Sequence, residues 1–256
     1  SLSGNVSEPV NVDGQLVYYR GRRLLDGVID YALNEGLKNA DQLLFSGCSA
    51  GGLTTYLHAD YVSSRMPTTV KTVAVADAMF SVNHNSIANQ PLFPSRMQWG
   101  YAAWNSKASI NQDCLQALGG ADGVDGWKCM FGASVAPYIK TPLFVVNSKY
   151  DTWQEKAIIG VDCSIASCNK TEQTFWADYS HIMVKIAQGL PPQHGAFLTN
   201  CPAHCQLGIA NFPNATIDGN NNNVNCQQHQ KQQQQTPTTT TTTAATPQTA
   251  TNNINN

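Results

Sequence analysis

The stretch 43–56, LLFSGCSAGGLTTY, sets Ser49 between Gly47 and Gly51. A serine hydroxyl is a weak nucleophile until a base takes its proton and a third group orients that base. In a G-x-S-x-G turn the small neighbours let the chain bend sharply enough to present the hydroxyl, and the amides that open the next helix point at the same place. Ser49 is therefore the candidate nucleophile, and the backbone N–H of Ala50 the candidate donor to a developing oxyanion. Candidate acids are Asp151, just after PLFVVNSKY, and Asp77, which closes VKTVAVA. Candidate bases are His204, between Cys201 and Cys205, and His194, just before GAFLTN. His58 within the serine helix reads as a packed or surface residue, His84 and His181 precede or lie outside the final strand, and His229 sits in the tail.

Such groups need a scaffold to bring them together. Residues 22–39 put Leu24, Leu25, Val28, Ile29, Ala32, Leu33 and Leu37 on one face at helical spacing, predicting an amphipathic helix against something apolar. Short apolar runs at 42–46, 70–76, 142–147 and 195–200 predict buried strands, and 50–65 and 174–189 further helices. Alternating apolar strands and helices predict the α/β class, a mostly parallel sheet with helices on both faces. Functional groups then gather beyond the carboxyl ends of the strands. Asp151, late in the sheet, is favoured over Asp77, which reads as an N-cap or hydrogen-bonded loop carboxylate. His204 follows the last strand, whereas His194 lies at its wrong end. A disulfide from Cys201 or Cys205 would hold the histidine loop. Residues 81–139, rich in Asn, Gly and aromatics and poorly periodic, read as an insertion over the sheet edge or mouth, pinned by Cys114 and Cys129. Tyr150 and Trp153 flank the acid and suit either stacking on sugar rings or packing at the rim. Met79 and Phe80 suit an acyl pocket or the core, and the cluster Trp99, Tyr101 and Trp104 has no assigned role.

Of the 256 residues only 12% are charged, against about 25% in an average soluble protein. Part of the shortfall sits in an Asn-, Gln- and Thr-rich tail that has too few apolar residues to offset the entropy of ordering it. The expectation is one folded domain over 1–206 and a disordered tail over 207–256. A net charge of −2 without a basic stripe argues against nucleic acid and anionic membranes as partners. No apolar run approaches the ~18 residues of a membrane span. The eight cysteines contain no C-x-x-C pair, so no structural zinc is expected. Cys114 with Cys129, and Cys163 with Cys168, are spaced for local disulfides of an oxidising compartment. Sequons at Asn5, Asn169 and Asn214 fit a secreted or lumenal protein.

Three motifs in this order, LLFSGCSAGGLTTYLHADYV, TPLFVVNSKYDTWQ and GAFLTNCPAHCQ, resemble the plant-type pectin acetylesterases, a family that also holds the Notum carboxylesterases. The opening 33 residues look like the family segment just upstream of the serine. The resemblance implies an α/β-hydrolase-like fold and a triad of Ser49, Asp151 and His204. It implies removal of acetyl groups from pectin or a related wall polysaccharide, with neither metal nor organic cofactor, by a secreted monomer of the cell wall. The alternatives are a Notum-like protein deacylase and a noncatalytic wall-associated carbohydrate-binding protein. Family members also carry a glycine-rich segment ending in Gly-Trp-Cys upstream of the serine, which supplies oxyanion-hole amides. This sequence does not contain it, so the chain is expected to be N-terminally incomplete, without the first strands of the sheet.

Overall fold

A computed structural model of the chain describes residues 2–207. Strands β1 (Val10–Val12) and β2 (Gln15–Val17) form an antiparallel hairpin. Its turn residues Asp13 and Gly14 have φ of 50° and 81°, the left-handed backbone that an Asp-Gly pair tolerates. Helix α1 (Gly21–Asn34) is shorter than its apolar pattern, because Gly36 at φ 119° breaks it and only a single 3₁₀ turn follows. Its broad apolar arc also divides. Ile29 is buried with Leu25 and Leu33 against Val62, Met66 and Val70, whereas Leu24 and Val28 are exposed.

Next come β3 (Gln42–Cys48), α2 (Ala50–Arg65) and β4 (Lys71–Asp77). The stretch 81–139 follows with α3 (Leu92–Ala103), α4 (Gln112–Leu118) and several single turns. The chain then forms β5 (Leu143–Ser148), α5 (Lys170–Gln188) and β6 (Gly195–Thr199). The four main strands are parallel and ordered β3-β4-β5-β6, as expected of the α/β class. However, β3 has no buried residue, so 42–46 is not the buried strand its apolar run predicts, and the helices described cover one face rather than both. Right-handed crossovers between strands that follow one another across a sheet put their helices on one face. Burial agrees with that rule. Ala74, Ala76, Leu143 and Val145 sit in the main core, while Leu44 on the other face is 59% exposed and Phe144 39%.

The 81–139 stretch is not a superficial insertion. Phe93, Met97, Tyr101, Ile110, Met130 and Phe131 join the same core as Leu53, Tyr56 and Ala76. The Cys114–Cys129 disulfide expected from spacing is present and wholly buried inside it, and Cys163–Cys168 is formed as well. Beyond Leu207, the expected tail, including Asn214, Cys226 and His229, lies outside the described residues.

Register decides where the sheet delivers its loops. Cys48 pairs with Asp77, Asp77 with Val146, and Val146 with Phe197, so the carboxyl ends of all four strands are level. Ser49, Asp77, Asp151 and His204 therefore emerge from one edge.

Candidate active site

Strand β3 hands over to α2 through a single residue. Ser49 sits at φ 55° and ψ −121°, a conformation unfavourable for a residue with a Cβ and worth on the order of 1–3 kcal/mol of strain. The surroundings enforce it. A Cβ on Gly47 would lie 2.6 Å from the Gly51 carbonyl carbon, and one on Gly52 would lie 2.4 Å from the Asp77 carbonyl oxygen. Glycine at both positions lets the first turn of α2 rest directly on β3 and β4. The Ser49 N–H donates to the Asp77 carbonyl at 3.0 Å, fixing the turn. Ala50 opens α2, so its N–H belongs to the first-turn amides that a helix leaves without an internal acceptor.

The candidate acid, Asp151, is held by its own loop. Asp151 caps the short turn Thr152–Gln154, its Oδ1 accepting from the Trp153 and Gln154 N–H groups at 3.0 Å each. Behind it, Gln154 accepts from the Tyr179 hydroxyl at 2.8 Å, and Tyr179 in turn accepts from the Val82 N–H at 3.1 Å. These buried contacts leave the carboxylate one outward direction, and His204 occupies it. His204 Nδ1 lies 2.9 and 3.0 Å from the two Asp151 oxygens, and Nε2 lies 2.7 Å from Ser49 Oγ. An ionised carboxylate only accepts, so Nδ1 carries the proton, and in the neutral ring Nε2 is free to accept from the serine hydroxyl. The Asp151 side chain is 1% exposed and that of His204 19%, which keeps the carboxylate dry while the imidazole edge stays reachable.

The competing candidates are engaged in other hydrogen bonds. His194 accepts from the Leu143 N–H at 3.2 Å and donates to the Ile139 carbonyl at 2.9 Å, tying the start of β6 to the start of β5 at the amino ends of the strands. Asp77 is buried, and its Oδ2 accepts from the Gln206 and Leu207 N–H groups at 2.6 and 2.7 Å. It is thus a hydrogen-bonded loop carboxylate, as its position suggested, although its partners belong to the histidine loop. Burial raises its pKa, and those two amides pull it back. Trp153 lies against His204, with ring centroids 5.9 Å apart and planes 30° from parallel, and Phe93 meets its other side edge-on at 5.2 Å. Tyr150 turns inward against Trp176 at 5.4 Å. Met79 and Phe80 are core residues, 4% and 0% exposed. Trp99 and Trp104 pack edge-on on each other and beside Tyr19, while Tyr101 is buried and donates to the Gly123 carbonyl.

The disulfide expected to hold the histidine loop is made by Cys205, with a partner no local pattern indicated. Cys48, next to Ser49, is disulfide-bonded to Cys205, next to His204, across 157 residues. Among the described residues the two groups with metal-ligand spacing, Cys48/Asp77/Cys205 and Cys163/Cys168/Glu172, each have their thiols in such a bond, which removes the thiolates a metal would need.

The pectinacetylesterase family model matches residues 1–251. Pectin acetylesterase 7 of Arabidopsis thaliana is 32% identical over 227 residues, covering 82% of this chain and 55% of that protein. Palmitoleoyl-protein carboxylesterase notum1' of Xenopus laevis is 24% identical over 199 residues, covering 73% of this chain and 38% of that protein. The crystal structure of the Wnt deacylase Notum from Drosophila superposes with a TM-score of 0.71 at 19% identity, covering 85% of this chain and 61% of that one, a likeness of fold. The chain spans about half the length of the curated pectin acetylesterases it matches. The nucleophile-elbow sequence, the parallel α/β sheet and the match along nearly its whole length together mean that this chain belongs to the pectinacetylesterase family.

Proposed function

We propose that the protein is a serine carboxylesterase that removes O-acetyl groups from pectin or a related cell-wall polysaccharide, working outside the cell. The observation that carries this reading is the unbroken hydrogen-bonded line from Ser49 through His204 to Asp151. Ser49 Oγ attacks the ester carbonyl as Nε2 of His204 takes its proton, and the buried Asp151 carboxylate stabilises the imidazolium and holds its tautomer. The Ala50 N–H donates to the oxyanion of the tetrahedral intermediate, and removing one such donor typically costs about 10²- to 10³-fold in turnover. Collapse of the intermediate passes a proton from Nε2 to the departing sugar hydroxyl and leaves acetyl on Ser49. Water, deprotonated by the same nitrogen, then releases acetate. Trp153, braced by Phe93 beside His204, is the aromatic surface best placed to meet a sugar ring; Tyr150 supports the acid loop from within. The disulfides among the described residues suit the oxidising environment outside the cell.

The experiment is acetate release from acetylated pectin by the full-length protein, run beside p-nitrophenyl esters of increasing chain length. Acetate release together with fastest turnover on the shortest esters supports the reading. Activity rising to a maximum on long acyl chains would move the assignment to lipid deacylation, and no turnover of any ester would leave a noncatalytic binding protein.

A further inference from the structure

The base stands on the loop after β6, the nucleophile on the turn after β3, and two whole strands lie between them. Residues 200–207 contain no regular secondary structure that could hold His204 at hydrogen-bonding distance from Ser49. Two tethers cross the gap. Asp77, on the strand next to β3, binds both partners: its carbonyl accepts from the Ser49 N–H at 3.0 Å, and its buried carboxylate accepts from the Gln206 and Leu207 N–H groups at 2.6 and 2.7 Å. The Cys48–Cys205 disulfide joins the residue before Ser49 to the residue after His204, with Cα atoms 5.6 Å apart. Both tethers fall directly on the C-terminal side of His204, the covalent one at the next residue and the hydrogen-bonded backbone immediately beyond.

We infer that Asp77 and the Cys48–Cys205 disulfide form a clamp that sets the distance from His204 to Ser49, making Asp77 a positioning residue for the reaction. The inference rests on the esterase reading above. Asp77 works through its acceptor oxygen, which an asparagine amide oxygen reproduces and an alanine does not. Loss of either tether lets the imidazole drift from the hydroxyl, and a misplacement of about 1 Å costs on the order of 10²-fold in turnover. The effect falls on kcat, because the tethers act on the alignment of the imidazole with the hydroxyl.

The test compares the parent full-length protein with Asp77→Ala, Asp77→Asn and Cys48→Ser/Cys205→Ser on p-nitrophenyl acetate, each checked for a cooperative thermal transition well above the assay temperature. The expected result is kcat lower by about 10²-fold in Asp77→Ala and by at least about tenfold in the cysteine variant. KM should stay within about twofold of the parent in both, with Asp77→Asn within about threefold of parental kcat. A merely structural carboxylate would lower the transition temperature and leave the kcat of the folded protein alone. If the alanine chain does not fold, the asparagine and cysteine variants decide. Parental kcat in a folded Asp77→Ala or in the cysteine variant overturns the clamp, and so does a loss in Asp77→Asn equal to that in either tether-free protein. A parent that neither hydrolyses the ester nor reacts with a fluorophosphonate sinks the esterase reading itself, a result distinct from an active parent with indifferent variants.

Discussion

Gly52→Ala is a small change aimed at the closest packing in the site. The added Cβ would fall 2.4 Å from the Asp77 carbonyl oxygen and 3.0 Å from that of Ala78, both backbone atoms that no rotamer change relieves. An ordinary contact is about 3.4 Å, so the first turn of α2 must retreat from β4 by about 1 Å. Ser49 donates its N–H to the same Asp77 carbonyl at 3.0 Å, and a retreat of that size breaks the bond. Overpacking of this kind costs about 1–3 kcal/mol of stability, and moving Ser49 Oγ by about 1 Å from His204 costs on the order of 10²-fold in kcat. Gly51 is the internal control, because a Cβ there has nothing within 4 Å among the described residues. Gly51→Ala should keep kcat within about threefold and gain up to about 1 kcal/mol from a less flexible unfolded chain. Steady-state hydrolysis of p-nitrophenyl acetate and urea denaturation read both effects. Parental kcat in Gly52→Ala, or equal damage from the two alanines, would refute the packing argument.

Other perturbations probe separate parts of the molecule. Asp151→Asn must turn its NH₂ either toward the Trp153 and Gln154 amides or toward the His204 Nδ1–H, so the ring takes the other tautomer. A kcat lower by about 10⁴-fold with unchanged folding is expected in ester hydrolysis. Cys114→Ser/Cys129→Ser opens a cross-link of sequence separation 15, and urea denaturation should register a loss of about 3 kcal/mol. His58 is buried with one ring nitrogen on the Leu2 carbonyl, and burial pushes its pKa down from 6.5 to about 4. Its folded pKa is the lower one, so its contribution is complete above pH 6.5 and is lost as pH falls toward about 4, by up to about 3 kcal/mol. Thermal denaturation across that range should show the decline, and His58→Gln should flatten it.

The sheet was legible, and so were the candidates Ser49, Asp151 and His204 that lie within hydrogen-bond distance of one another, because their signals are local. Residues 43–45 are apolar and lead into a glycine-flanked serine, whose small neighbours permit the sharp strand-to-helix turn. Asp151 was readable from the apolar strand before it, and His194 was set aside by its place at the start of β6, where the structure finds it bonded to backbone. The 81–139 region was misread because its helices are short and punctuated. Phe93, Met97 and Tyr101 do recur every four residues, but Pro94 and Gly100 interrupt the pattern; Pro94 is tolerated because it lies in the first turn of α3. The hairpin at Val10–Val17 had its Asp13-Gly14 signal in plain view. A disulfide from the histidine loop was expected of Cys201 or Cys205, but its partner Cys48 had no signal, since a pairing across 157 residues depends on strand order that no local pattern reveals. Asp77 was recognised as a loop carboxylate, yet its grip on residues 206–207 appears only once β4 and the end of β6 are neighbours of the same edge.

The most direct measurement is mass spectrometry of the full-length protein after reaction with a fluorophosphonate. A single adduct on the peptide containing Ser49, formed at least about 10³-fold more slowly in His204→Ala, is the expected result. No adduct, an adduct on a different serine, or an unchanged rate without the imidazole would contradict the assignment of Ser49 as a nucleophile activated by His204.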